Sequence, residues 1–215
     1  SVLAKNGKIY AAPYFANKVL EIDPTGNEVT TRLVGTDLGS GWKYHTSVLA
    51  GNGKIYATPH HANYVLEIDP TGNEVTTTLV GTDLGDGEYK YKTSVVAGNG
   101  KIYAAPYSAN YVLEIDPTGN EVTTTLVGTD LGDGEYKYFT SAVKENGNIY
   151  AAPYDAKKVL EIVPTGNKVT TKLVGTDIGS GNRTYHTSVL AKNGKIYAAP
   201  SVYSNVLEIS YPSCN

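Results

Sequence analysis

The chain has 215 residues, a formal net charge of −3, 40% hydrophobic residues and only 18% charged ones. That balance suits a folded chain with a large core and leaves no basic footprint for nucleic acid. No apolar run approaches the roughly 18 residues of a membrane span, and no secretory leader is read, although a start at Ser1 without Met fits a mature form.

The segment Ser-Val-Leu-Ala-x-Asn-Gly-Lys-Ile-Tyr opens at Ser1 and returns, slightly changed, at Ser47, Ser94, Ser141 and Ser188. These starts divide the chain into repeats 1–46, 47–93, 94–140, 141–187 and 188–215, read as one domain. The second and third differ at only five positions: Leu49/Val96, Thr58/Ala105, His60/Tyr107, His61/Ser108 and Lys92/Phe139.

Within the copy from Ser94, Ser94–Ala97 predicts strand A, and Gly98-Asn99-Gly100 predicts a type I′ hairpin turn. Lys101–Ala105 predicts strand B, ended by Pro106, which lacks a ladder donor. Tyr111–Ile115 follows as strand C. Asp116-Pro117-Thr118-Gly119-Asn120 then reads as a turn with a left-handed glycine. The β-branched run Glu121–Val127 is strand D, and Gly128–Thr140 loops to the next copy.

A four-strand meander with apolar residues on both faces cannot bury both alone. Copies in the forties of residues therefore predict an all-β, five-bladed β-propeller closed into a ring. The fifth copy stops after Glu208-Ile209, so the fifth blade is expected to be three-stranded, or to have its outer edge covered by the tail or a neighbouring molecule. Pro212 discourages open edge pairing there.

Asn99–Gly128 resembles the YVTN-type propeller repeats and, more loosely, kelch repeats. It lacks the double glycine after strand B and the tryptophan near strand D that mark kelch. The resemblance implies the fold. It leaves function open among protein, sugar and small-molecule binding and some enzymes.

The copies differ most on one rim. The B–C links there carry Tyr14, His60, Tyr107 and Tyr154, with Ser201 in the fifth copy. The D–A loops carry Trp42, Tyr44, His45, Tyr89, Tyr91, Tyr136, Tyr138, Tyr185 and His186. Aromatic faces stack on sugar rings while hydroxyls bond their polar groups, so these thirteen side chains other than Ser201 predict a non-enzymatic, lectin-like, multivalent carbohydrate-binding module with pockets between blades. The bland reading is that the tyrosines only pack neighbouring blades. The rival function is a protein-interaction scaffold engaging a patch around His60-His61 or Trp42, so the partners are glycans or another protein.

An enzyme with one site near His45, Lys92 and His186 is set aside, because near-identical copies leave no unique catalytic set. No cofactor is expected. The acidic loops from Asp83 to Glu88 and Asp130 to Glu135 faintly suggest calcium, but Ser40 and Ser180 break the pattern and turn formation is preferred. His45 and His186 match in position but are not expected to hold a metal, since Lys92 and Phe139 fill the corresponding places. Cys214 reads as an idle thiol and Asn182-Arg183-Thr184 as a lone glycosylation sequon. A soluble protein, secreted or at the cell surface, is favoured.

Overall fold

The computed structural model describes residues 1–165, 168–179, 183–202 and 204–210. Among these, nineteen strands form five antiparallel sheets, one per repeat. The first holds β1 (Val2–Leu3), β2 (Ile9–Ala11), β3 (Val19–Asp23) and β4 (Thr30–Val34). The second holds β5 (Tyr44–Leu49), β6 (Ile55–Pro59), β7 (Val65–Asp69) and β8 (Thr76–Val80). The third holds β9 (Val95–Val96), β10 (Ile102–Ala104), β11 (Val112–Asp116) and β12 (Thr123–Val127). The fourth holds β13 (Tyr138–Val143), β14 (Ile149–Pro153), β15 (Val159–Thr165) and β16 (Lys168–Val174). The fifth has three strands among the described residues: β17 (Tyr185–Leu190), β18 (Ile196–Pro200) and β19 (Leu207–Ile209). Pro212 and Cys214 lie outside the described residues.

Three local expectations are corrected. The A–B hairpin is not type I′. In the first copy the Gly7 N–H donates to the Ala4 carbonyl and the Ala4 N–H to the Lys8 carbonyl, and only Gly7 is left-handed, at φ 80°. That is a type I turn closed by a glycine bulge, which requires αL geometry at one residue rather than two. In the Pro-Thr-Gly turn, Gly26 is not left-handed; the Asp23 carboxylate shapes the turn by accepting from the Thr25 N–H at 3.0 Å. Strand A also starts upstream of the repeat boundary in three sheets. Tyr44 pairs with Pro59, the last residue of β6, and a bulge follows before Ser47 pairs with Ala57.

The sheets pack face to face in chain order. Tyr10 and Val19 of the first sheet bury against Ile55, Leu66 and Ile68 of the second, and each later junction repeats this arrangement. An aliphatic side chain fully buried in this way is worth about 1.5–3 kcal/mol. The two ends lack that cover. The first valine of strand C is 0% exposed at Val19, Val65 and Val112, 7% at Val159 and 61% at Val206. On the opposite end, Ile9, Leu20 and Ile22 are only half-buried, whereas Ile55, Leu66 and Ile68 are fully buried. The ring closure expected from the sequence is therefore not sealed by the burial that the four internal junctions have.

Candidate functional site

The two loop sets expected on one rim do meet there, held by backbone hydrogen bonds. The Lys43 N–H donates to the Tyr14 carbonyl, and the Lys43 carbonyl accepts from His60 N–H. The rail continues through Lys90, Tyr107, Lys137, Tyr154 and Thr184 to Ser201, with distances of 2.6–2.9 Å. Each D–A loop is thus clamped between the B–C links of two successive sheets.

A buried lysine organises the interior of each of three loops. The Lys90 ammonium donates to the carbonyls of Gly85 and Gly87, Lys137 to those of Gly132 and Gly134, and Lys43 to Gly39 and Gly41. Burial pushes the pKa values of these lysines down. The cation inside these loops is the chain's own ammonium. Asp83 and Asp86 are engaged as turn and cross-link acceptors, from the Gly85 N–H at 2.8 Å and the Asn63 amide at 2.8 Å. In the fourth loop Thr184 takes the lysine position, its hydroxyl donating to the carbonyls of Pro153 and Tyr154. Ser180 and Asn182 lie outside the described residues.

On this frame the rings gather in three tiers, each a single repeat position. His45, Phe139 and His186 form the innermost tier with Lys92; Tyr14, His60, Tyr107 and Tyr154 form the middle; Trp42, Tyr89 and Tyr136 form the outer one. Phe139 stacks on His186 at 4.6 Å and meets His45 at 5.8 Å, so it lies between the two histidines. His60 contacts Tyr14, His45, His61 and Tyr89 at 4.7–5.9 Å between centroids. Tyr107 and Tyr154 continue the belt at 5.9 Å, and Tyr14 stacks on Trp42 at 6.4 Å. The Lys92 ammonium sits 5.1 Å from the Phe139 centroid and 5.4 Å from that of Tyr107, cation–π geometry.

Two further features distinguish this mouth. Tyr89, Tyr136 and Arg183 hold left-handed backbones at φ 56°, 57° and 47°, a conformation that costs non-glycine residues of order 1–3 kcal/mol and clusters at functional positions. Arg183 is held there by its N–H donating to Asp155 Oδ1 at 2.7 Å. His60 is fully buried, and neither ring nitrogen has a hydrogen-bond partner among the described residues. Burial, reinforced by Lys92 and the neighbouring histidines, lowers its pKa to about 3. His45 keeps an accessible edge, yet loss of hydration and Lys92 lower it to about 4. Both imidazoles are neutral at pH 7.

Nine of the thirteen expected residues therefore converge: Tyr14, Trp42, His45, His60, Tyr89, Tyr107, Tyr136, Tyr154 and His186. Tyr44, Tyr91, Tyr138 and Tyr185 do not. They are only 1–2% exposed, and each hydroxyl donates across its own sheet to the carbonyl of Tyr64, Tyr111, Lys158 or Asn205 at 3.1–3.3 Å. They are pillars of the core, with no face for a ligand. Buried His60 likewise offers no surface to a protein partner. Lys92, Phe139 and His61 join the mouth although they were not among the expected ligand-binding residues; aligning the repeats column by column would have found them.

Pockets between sheets are also present at three junctions. Leu38/Trp42/Asn63/Tyr64, Leu84/Lys90/Asn110/Tyr111 and Leu131/Lys137/Lys157/Lys158 line equivalent cavities of about 500, 270 and 460 Å³.

No family model and no curated protein matches the chain. Solved structures do. A catalytically inactive variant of virginiamycin B lyase from Staphylococcus aureus with quinupristin is similar over 99% of this chain and 69% of its own, at 14% identity and TM-score 0.65. A streptogramin B lyase is similar over 93% and 60%, at 15% identity and TM-score 0.61. The extracellular domain of BT4673 from B. thetaiotaomicron is similar over 96% and 26%, at 8% identity and TM-score 0.65. This is a β-propeller repeat architecture. The chain spans about 60–70% of the length of the lyases it resembles. The expectation of a non-enzymatic chain is corrected here, since proteins with this fold include a lyase and the architecture gives no ground for setting catalysis aside. No helix among the described residues is long and apolar enough to cross a membrane.

Proposed function

We propose that the chain is a five-bladed propeller of the YVTN-repeat type that binds a small carbohydrate, acidic sugars foremost, at the aromatic mouth. The observation that carries this is the convergence of rings from four successive repeats around the Lys92 ammonium and the neutral, exposed imidazole of His45. Aromatic faces cover the apolar side of a pyranose, the ammonium pairs with a carboxylate, and the neutral His45 imidazole donates and accepts toward hydroxyls. Secretion or cell-surface display accords with such a ligand.

The test is titration calorimetry with neutral sugars and uronic acids, paralleled by emission of Trp42, the single tryptophan, which is 47% exposed at the mouth. One site per chain, quenched Trp42 and tighter binding of the acid sustain the reading; bound ligands are also followed for turnover. Absence of any sugar response would leave the protein-scaffold reading in its place.

A second reading keeps the multivalent lectin. The recurrence of one cavity at three junctions favours it, and a stoichiometry near three without Trp42-independent differences between sugars would select it.

A further inference from the structure

The sheets seal to one another at their outer corners through one repeated contact. The Thr36 N–H donates to Thr77 Oγ1 at 2.9 Å, Thr82 N–H to Thr124 Oγ1 at 2.8 Å, and Thr129 N–H to Thr171 Oγ1 at 2.8 Å. In each case the accepting threonine lies on strand D of the next sheet, opposite an isoleucine of strand C: Ile68, Ile115 or Ile162. The valine two residues before that threonine points to the same side of its strand and packs into the junction, as Val75, Val122 and Val169 do. Val29, the equivalent on the first sheet, packs into no such junction among the described residues and is 66% exposed.

At the fourth junction the corner is Gly175-Thr176, and the facing sheet ends at β19 among the described residues. A cleft of about 410 Å³ lies there, between Val159, Val174 and Thr176 on one side and Leu207 and Ile209 on the other. Among the described residues a Cβ on Gly175 would meet nothing within 4 Å, whereas one on Gly128 would lie 2.4 Å from Thr171.

We propose that this cleft binds an extended polypeptide segment of the pattern Val-Thr-Thr-x-Leu-Val, added antiparallel to β19. The three sealed corners define its register. The second threonine sits opposite Ile209 and accepts from the Thr176 N–H, the valine two residues earlier fills the apolar cleft, and the leucine lies opposite Leu207. Strand addition of this kind takes affinity from main-chain hydrogen bonds and selectivity from alternate side chains. The site is independent of the aromatic mouth.

The experiment uses the full chain and a capped synthetic peptide copying residues 120–128. Hydrogen exchange with mass readout should show slowed exchange at Leu207–Ile209 on adding the peptide, saturating at one peptide per chain. Replacing the peptide's second threonine by valine, which keeps shape and strand propensity, should weaken binding roughly five- to tenfold, the worth of one hydrogen bond. Unchanged exchange at Leu207–Ile209, or equal binding of the two peptides, would overturn the proposal.

Discussion

The imidazoles of His45 and His60, from strand A and the B–C link of the second sheet, lie 5.9 Å apart in the aromatic mouth, and both are held uncharged. Their pKa values fall from 6.5 to about 4 and about 3, so the unfolded chain binds more protons than the folded one between those limits. Stability therefore declines as pH drops from about 6.5 toward 4 and 3. His60→Tyr, which places the side chain found at Tyr107 and Tyr154, should flatten that decline. Denaturant melts at pH 7, 5 and 4 check it; an equal acid slope in the variant would refute the assignment.

Glu21 adds to the same acid sensitivity at lower pH. Hydrogen bonding to Arg32 first, then to Lys8 and Tyr10, outweighs burial and holds its carboxyl at about 2. The stabilisation is complete above the ordinary carboxylate value of 4.5 and fades as pH falls toward 2. Arg32→Ala should destabilise the first sheet at pH 7, and variant and parent should converge near pH 2 in the same melts.

Gly81 and Gly175 form a matched pair. Their φ angles are 81° and 80°, yet a Cβ at Gly81 would lie 2.4 Å from the Thr124 methyl while one at Gly175 meets nothing among the described residues. Both alanine variants carry the left-handed penalty of about 1 kcal/mol. Gly81→Ala should lose an additional 1–3 kcal/mol or so from overpacking at the sealed corner. Thermal unfolding of the two variants side by side measures the difference, and equal losses would show that the corner is not tightly packed.

Lys90→Met leaves the Gly85 and Gly87 carbonyls without their donor. The expected cost is about 1–3 kcal/mol, with faster proteolysis in the 83–88 loop. Because that ammonium already occupies the loop, chelator should leave the parent's melting temperature unchanged.

The strands were legible because β-branched runs, Asn-Gly turns and Asp-Pro-Thr-Gly turns recur at fixed intervals and constrain one another. Turn type was less so: Asn-Gly satisfies both a type I′ turn and a glycine bulge, and the choice depends on where the ladder closes around Ala4 and Lys8. At the mouth, residue type located the rim but could not sort it. Tyr44 and Trp42 stand two residues apart in one loop, yet the register at Tyr44–Pro59 turns the first into the core and leaves the second on the surface. His60 was found as an aromatic-column residue, while its unpartnered nitrogens depend on neighbours contributed by three different repeats.

The hydrogen-bonded rail from Tyr14 to Ser201 makes the mouth a mechanical unit. Each residue on it from Lys43 to Thr184 donates through its N–H and accepts through its carbonyl, so displacing one link moves the next. A disturbance in the second repeat should register as altered amide shifts in the third and fourth, with smaller changes at the opposite rim, where neighbouring turns meet through side-chain bonds such as Asn6 Nδ2 to the Pro70 carbonyl. The repeats are copies in sequence, but along this edge they respond together.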